Sequence, residues 1–126
     1  MFVDHTCIRV QDLEKSKQFY EAAFGFQVVN TKDFPEDKFT LCYLALPDSN
    51  YKLELTYNYD HEAYDLGNGY GHIAIVVDDV KALRKKHVDL GFEPTELSGL
   101  PGEVPFYYFV SDPDGYKIEV IDKSGL

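Results

Sequence analysis

The chain repeats itself, and the repeat limits its fold more than any other feature. The stretch His5-Thr-Cys-Ile-Arg-Val10-Gln-Asp12-Leu13 returns as His72-Ile-Ala-Ile-Val-Val77-Asp-Asp79-Val80. Each copy runs through a helical pattern to a Gly-Phe pair, Gly25-Phe26 and Gly91-Phe92. Tyr51-Lys52-Leu53-Glu54-Leu55 then returns as Tyr116-Lys117-Ile118-Glu119-Val120. His and Glu are 49 residues apart in the first copy and 47 in the second, a difference that one loop absorbs. The expectation is a single domain over residues 1–126, made of two modules at about 1–58 and 70–126 with a linker at 59–69. A module of that length rarely stands alone.

Each copy reads as a strand, a helix and further strands. Val3–Val10 and Gly71–Val77 are the first strands. Asp12 and Asp79 stand where a short carboxylate accepts an orphan helix N–H. Leu13, Ser16, Tyr20 and Ala23 share one helix face, and Val80, Leu83, His87 and Leu90 repeat the spacing. Gly25 and Gly91 follow as residues free to take a positive φ. Further strands are expected at Gln27–Thr31, Phe39–Leu46, Leu53–Tyr57, Glu93–Leu97, Phe106–Ser111 and Lys117–Ile121. Asp112-Pro-Asp-Gly115 predicts a tight turn between the last two. The fold class is α+β, two βαβββ modules in tandem.

Charge and composition exclude several functions. Twelve basic residues against 22 acidic ones give a net charge of −10. Nucleic acids and anionic membranes require the opposite excess. No apolar run approaches the roughly 18 residues of a membrane span. The first residues lack the basic and apolar regions of a secretion signal. Cys7 and Cys42 do not make a disulfide framework, so the expected setting is the reducing cytoplasm.

Strand parity places the chemistry. Successive residues point to opposite faces. Thr6, Ile8 and Val10 share one face, while His5, Cys7 and Arg9 share the other. Ile73, Ile75 and Val77 likewise oppose His72, Ala74 and Val76. Leu53 and Leu55 oppose Glu54, and Ile118 and Val120 oppose Glu119. The aliphatic faces are expected to pack on the helices, which turns each His and Glu the other way. Two modules side by side would curl their sheets around a groove where these four side chains converge. Two imidazoles and two carboxylates suit a divalent first-row metal. Taken singly, a strand His is usually a half-buried residue with a partner, and a Glu beside a Lys usually faces solvent. The recurrence of His and then Glu in both copies favours a site, because a buried carboxylate without a partner is costly.

Other residues carry less. His61 lies in a polar linker and His87 follows two lysines on a helix, and neither has a functional context. Cys7 and Cys42 sit in apolar strands with no base to make either a nucleophile. Arg9 shares the His5 face and serves either the site or an ion pair. Asn58, in phase with Glu54, either binds a ligand or ends the strand. Gly67, Gly69 and Gly71 do not open a helix, so no dinucleotide fingerprint is present.

With these residues the chain resembles the glyoxalase I (lactoylglutathione lyase) family of the vicinal oxygen chelate superfamily. His5–Leu13, Glu54-Leu-Thr-Tyr-Asn58, Tyr70-Gly-His72-Ile-Ala and Asp112–Glu119 carry the resemblance, which covers nearly the whole chain. It implies paired βαβββ modules, a homodimer, and metal centres at the subunit interface. His5, Glu54, His72 and Glu119 would be the ligands, with two waters completing an octahedron. The short length is similar to the nickel- and cobalt-activated class, so Ni(II) or Co(II) is favoured over Zn(II). Arg9 and Asn58 match positions that hold the thiol. The implied reaction, of the carbon–sulfur lyase type, isomerises the hemithioacetal of methylglyoxal to a 2-hydroxyacyl thioester. Glu119 would move the proton from C1 to C2, and Glu54 would share or exchange that role.

One stretch departs from the family pattern. Thr95–Glu103 holds two acids and no base where family members often carry Arg and Lys, which bears on which thiol is used. Two alternatives share the fold. One is a different chelate enzyme, such as an antibiotic-inactivating thiol transferase or an epimerase. The other is a metal-free antibiotic-binding protein. Four intact ligand positions favour glyoxalase I over both.

Overall fold

The computed structural model describes residues 1–126. The chain forms two compact units, Met1–Asp65 and Leu66–Leu126.

The first unit contains β1 (His5–Val10), α1 (Leu13–Phe24), β2 (Gln27–Phe34), β3 (Phe39–Ala45) and β4 (Lys52–Asn58). Its sheet runs β1-β4-β3-β2, with β1 parallel to β4 and the other pairs antiparallel. Asp12 opens α1 by accepting the Lys15 N–H at 3.1 Å. Gly25, at φ 80°, ends the helix, and its N–H bonds to the Glu21 carbonyl at 2.9 Å. An L side chain at that φ would be strained, so the glycine is a requirement of the turn. The buried face of α1 is Ser16, Phe19, Tyr20 and Ala23, with helical spacing. Phe19 joins the expected face, and Leu13 is only half-buried. This face meets a sheet face of Ile8, Val10, Cys42, Leu44, Leu53 and Leu55, all buried. Each such aliphatic side chain removed from water contributes about 1.5–3 kcal/mol.

The second unit contains β5 (Ile73–Val77), α2 (Val80–Asp89), β6 (Tyr107–Ser111) and β7 (Lys117–Asp122), then a short 3-10 turn at Lys123–Gly125. The sheet order is β5-β7-β6, with β5 parallel to β7 and β6 antiparallel to it. Asp79 caps α2 through the Ala82 N–H at 3.0 Å. Val80 and His87 are buried on the helix, whereas Leu90 lies beyond its end and is exposed. Asp112 is buried and accepts the N–H groups of Asp114 and Tyr116, each at 2.9 Å. This Asx-type turn sets the register of β6 against β7.

The strand expected at Glu93–Leu97 does not form. Glu93 takes φ 52°, outside the strand region, and Pro94 has no N–H to donate. Thr95 then bonds Phe109 twice, through its N–H to the carbonyl at 2.9 Å and through Oγ1 from the N–H at 2.8 Å. A side chain has taken a place that a ladder carbonyl would fill. Only an isolated bridge between Ser98 and Tyr107 follows. The second sheet therefore has three strands against four in the first.

Candidate metal centre

His5 is the first residue of β1 and lies on the face away from α1, with Cys7 and Arg9. The parallel register pairs Cys7 with Glu54 and Arg9 with Thr56, bringing the β4 side chains onto that face. His5 Nε2 stands 2.8 Å from Glu54 Oε2. The other ring nitrogen, Nδ1, is 2.7 Å from Asp4 Oδ2, and Asp4 Oδ1 takes Lys52 Nζ at 2.7 Å. The hydrogen bond from Lys52, followed by that from His5, holds the Asp4 carboxyl below its ordinary value. Thr56 Oγ1 donates to Glu54 Oε1 at 3.1 Å. Tyr43 pairs with Glu54 across the β3–β4 ladder, and its ring stands edge-on to His5 with centroids 5.6 Å apart. Burial, then the Glu54 charge, pushes the Tyr43 phenol up.

The second unit repeats the arrangement with fewer polar partners. His72 sits just before β5, one residue outside the strand expected to contain it. Its Nε2 stands 3.7 Å from Glu119 Oε2. Phe109 pairs with Glu119 across the β6–β7 ladder, and its ring stands edge-on to His72 at 5.3 Å. The Glu54 side chain is 9% exposed and that of Glu119 19%, so the carboxylate of the first unit is the more enclosed.

These pairs suit a divalent ion. Two donors bound at about 2.1 Å and at right angles lie about 3 Å apart. The 2.8 Å His5–Glu54 spacing matches, and the 3.7 Å His72–Glu119 spacing is somewhat wider. Nitrogen and carboxylate oxygen without thiolate suit Ni, Co or Zn. No group of three or more His, Cys, Asp or Glu side chains comes together as a metal cluster; each unit has one His–Glu pair.

The remaining candidates fall as follows. Arg9 is exposed and two residues along the strand from Cys7, on the same face. The Asn58 amide donates to the Tyr64 hydroxyl at 2.9 Å, and Tyr64 stacks on His61 at 4.1 Å. His61 thus has a packing partner in the linker. Cys42 is fully buried, whereas Cys7 is exposed on the His5 face, 3.2 Å from Thr56 Oγ1. Asp4, Thr56, Tyr43 and Phe109 were not among the expected site residues. Parity puts Thr56 in phase with Glu54. The aromatic pair is visible only once the ladder registers are known.

The family description of the glyoxalase/bleomycin resistance protein/dioxygenase superfamily matches residues 2–120. The lactoylglutathione lyase of Neisseria meningitidis is 44% identical over 122 residues, covering 94% of this chain and 88% of the relative. A probable lactoylglutathione lyase of Synechocystis is 42% identical over 127 residues, covering 98% and 97%. Among solved structures, the trypanothione-dependent glyoxalase I of Leishmania major is 41% identical with a TM-score of 0.87, covering 98% of this chain and 88% of that one. This chain belongs to the glyoxalase I family.

Proposed function

We propose that the chain is a metal-dependent glyoxalase I, a carbon–sulfur lyase acting on the hemithioacetal of methylglyoxal and a low-molecular-weight thiol. The product is the S-lactoyl thioester. One observation carries the reading. A His–Glu pair recurs at 2.8 and 3.7 Å in both units of a chain 42–44% identical to lactoylglutathione lyases.

His5, Glu54, His72 and Glu119 would hold the ion, with Ni(II) or Co(II) favoured and Zn(II) a weaker candidate. When bound, the ion acts as a Lewis acid toward the two substrate oxygens. Glu119 takes the proton from C1 and returns it at C2, which conserves redox state and needs no redox cofactor. Glu54 serves the opposite face of the substrate. Arg9 supplies a fixed cation for a thiol carboxylate, and Asn58 a carbonyl oxygen for an amide. The thiol is glutathione or an analogue. Glu96 and Glu103, in a stretch without a base, favour one with less distal negative charge.

One His–Glu pair in each unit fits a homodimer in which each centre draws one pair from each subunit. Two unpaired cysteines support a cytoplasmic setting, and no helix is long and apolar enough to cross a membrane.

The test is a matrix of metals and thiols. Chelator-stripped protein is reloaded with Ni(II), Co(II) or Zn(II) and supplied with methylglyoxal and glutathione, bacillithiol or trypanothione. Thioester formation is followed by ultraviolet absorbance. Turnover is expected with Ni(II) and Co(II) and at least one thiol. No turnover in any cell of the matrix overturns the reading.

A further inference from the structure

The two half-sites are copies in sequence but not in their supports. The repeat that sets His5 against His72 also sets Asp4 against Gly71. The repeat that sets Glu54 against Glu119 also sets Thr56 against Ile121. Across the ladders, Tyr43 faces Glu54 where Phe109 faces Glu119. At all three positions the first unit has a polar group and the second has none.

Asp4 and Thr56 each have definite partners. Asp4 Oδ2 lies 2.7 Å from His5 Nδ1 and turns Nε2 toward Glu54 Oε2 at 2.8 Å; with an ion between Nε2 and Glu54, Asp4 would accept the one ring proton at Nδ1 and leave the Nε2 lone pair for the ion. Asp4 is itself held by Lys52, through Nζ at 2.7 Å and through the Lys52 N–H to the Asp4 carbonyl at 3.0 Å. The Thr56 hydroxyl has one proton, which goes to Glu54 Oε1, so the Cys7 thiol at 3.2 Å must donate to the Thr56 oxygen. The Cys7–Thr56–Glu54 chain fixes one carboxylate oxygen and presents the other to His5. Gly71 has no side chain to orient His72, and Ile121 has no proton to give Glu119. The wider 3.7 Å spacing goes with that lack.

We propose that Asp4 and Thr56 are positioning residues that preset the His5–Glu54 pair for metal, making the first unit the anchor of the centre and the second its unsupported half. Partners one shell out from a metal ligand set its tautomer and orientation, and their loss costs about 10–100-fold in metal affinity. The proposal rests on the metal reading above and adds which half of the centre is organised before the ion arrives.

The test uses the full chain and four variants, Asp4→Ala, Asp4→Asn, Thr56→Val and Thr56→Ser. Three quantities are read: Ni(II) and Co(II) affinity by competition with a chromophoric chelator, the His5 ring tautomer in metal-free protein by nitrogen-15 NMR, and the thermal midpoint of the metal-free protein. Asp4→Ala is expected to weaken metal about 10-fold or more and to move the His5 ring proton toward Nε2, where only the Glu54 carboxylate remains to accept it. Asp4→Asn, which keeps an acceptor, should hold more of the ring proton on Nδ1 than Asp4→Ala does and recover most of the affinity. Thr56→Val should weaken metal to a similar degree, and Thr56→Ser should restore it. The thermal midpoint separates these effects from general unfolding. Wild type that binds metal alongside Asp4→Ala and Thr56→Val variants within twofold of it overturns this proposal alone. Wild type that binds no divalent ion overturns the metal reading and this proposal with it.

Discussion

At the scale of single residues, the two carboxylates are chemically alike but differently placed. Glu54 is enclosed and hydrogen-bonded through Oε1, whereas Glu119 is more exposed, its nearest ionisable partner being His72 at 3.7 Å. A base must offer a lone pair to a substrate proton, and a carboxylate with fewer standing hydrogen bonds offers it at less cost. Glu119→Gln keeps the shape and removes the base. The expected result is a fall in kcat of at least about 100-fold with the circular dichroism spectrum unchanged. Near-full activity would remove Glu119 from the role. His87 shows the opposite case, a histidine that is fully buried yet belongs to the core. It sits on the buried face of α2 and bonds the Tyr108 hydroxyl at 2.8 Å, on the side of the sheet opposite Glu119.

At the scale of elements, that bond joins α2 to β6, and it makes stability depend on pH. Burial pushes the Tyr108 phenol above its ordinary value of 10.0. The unfolded chain releases that proton near pH 10 while the folded chain still holds it. The contribution is therefore fully present below pH 10 and is lost as pH rises further. Tyr108→Phe leaves His87 without that partner and should cost about 1–3 kcal/mol at neutral pH. Urea unfolding at pH 7, 9 and 11 checks both effects, since the variant should also lose part of the alkaline decline. An unchanged midpoint at pH 7 would remove the clamp. Much at this scale was legible in advance. Asp12 and Asp79 as caps, Gly25 as a helix stop and the faces of β1 and β4 all follow from local spacing and parity. The missing strand at 93–97 did not, because Glu93 at positive φ and the Thr95 side-chain bond are set by what lies beside them. Nor did Asp4, Tyr43 or Phe109, because their contacts depend on register across strands distant in sequence. Parity tells which face a side chain takes. Pairing decides its neighbour.

At the scale of the whole molecule, the duplication allows a test that a chain with one module would not. Under the proposed homodimer each centre takes His5 and Glu54 from one subunit and His72 and Glu119 from the other. A chain with His5→Ala and Glu54→Ala has no working first half, and one with His72→Ala and Glu119→Ala has no working second half. Neither forms a complete centre alone. Mixed, unfolded together and refolded, the two chains pair at random. The heterodimer then has one centre with both intact halves and one with neither. Half of the dimers are heterodimers, so about a quarter of the wild-type centres return, as the closed two-fold symmetry of a homodimer requires. Turnover and bound metal should both recover to that fraction, and neither should recover when the two proteins are mixed without subunit exchange. If every centre were completed within one chain, no mixture would recover anything, because each chain lacks two ligands of its own. The dimer and the assignment of ligands to halves are thus decided by one measurement.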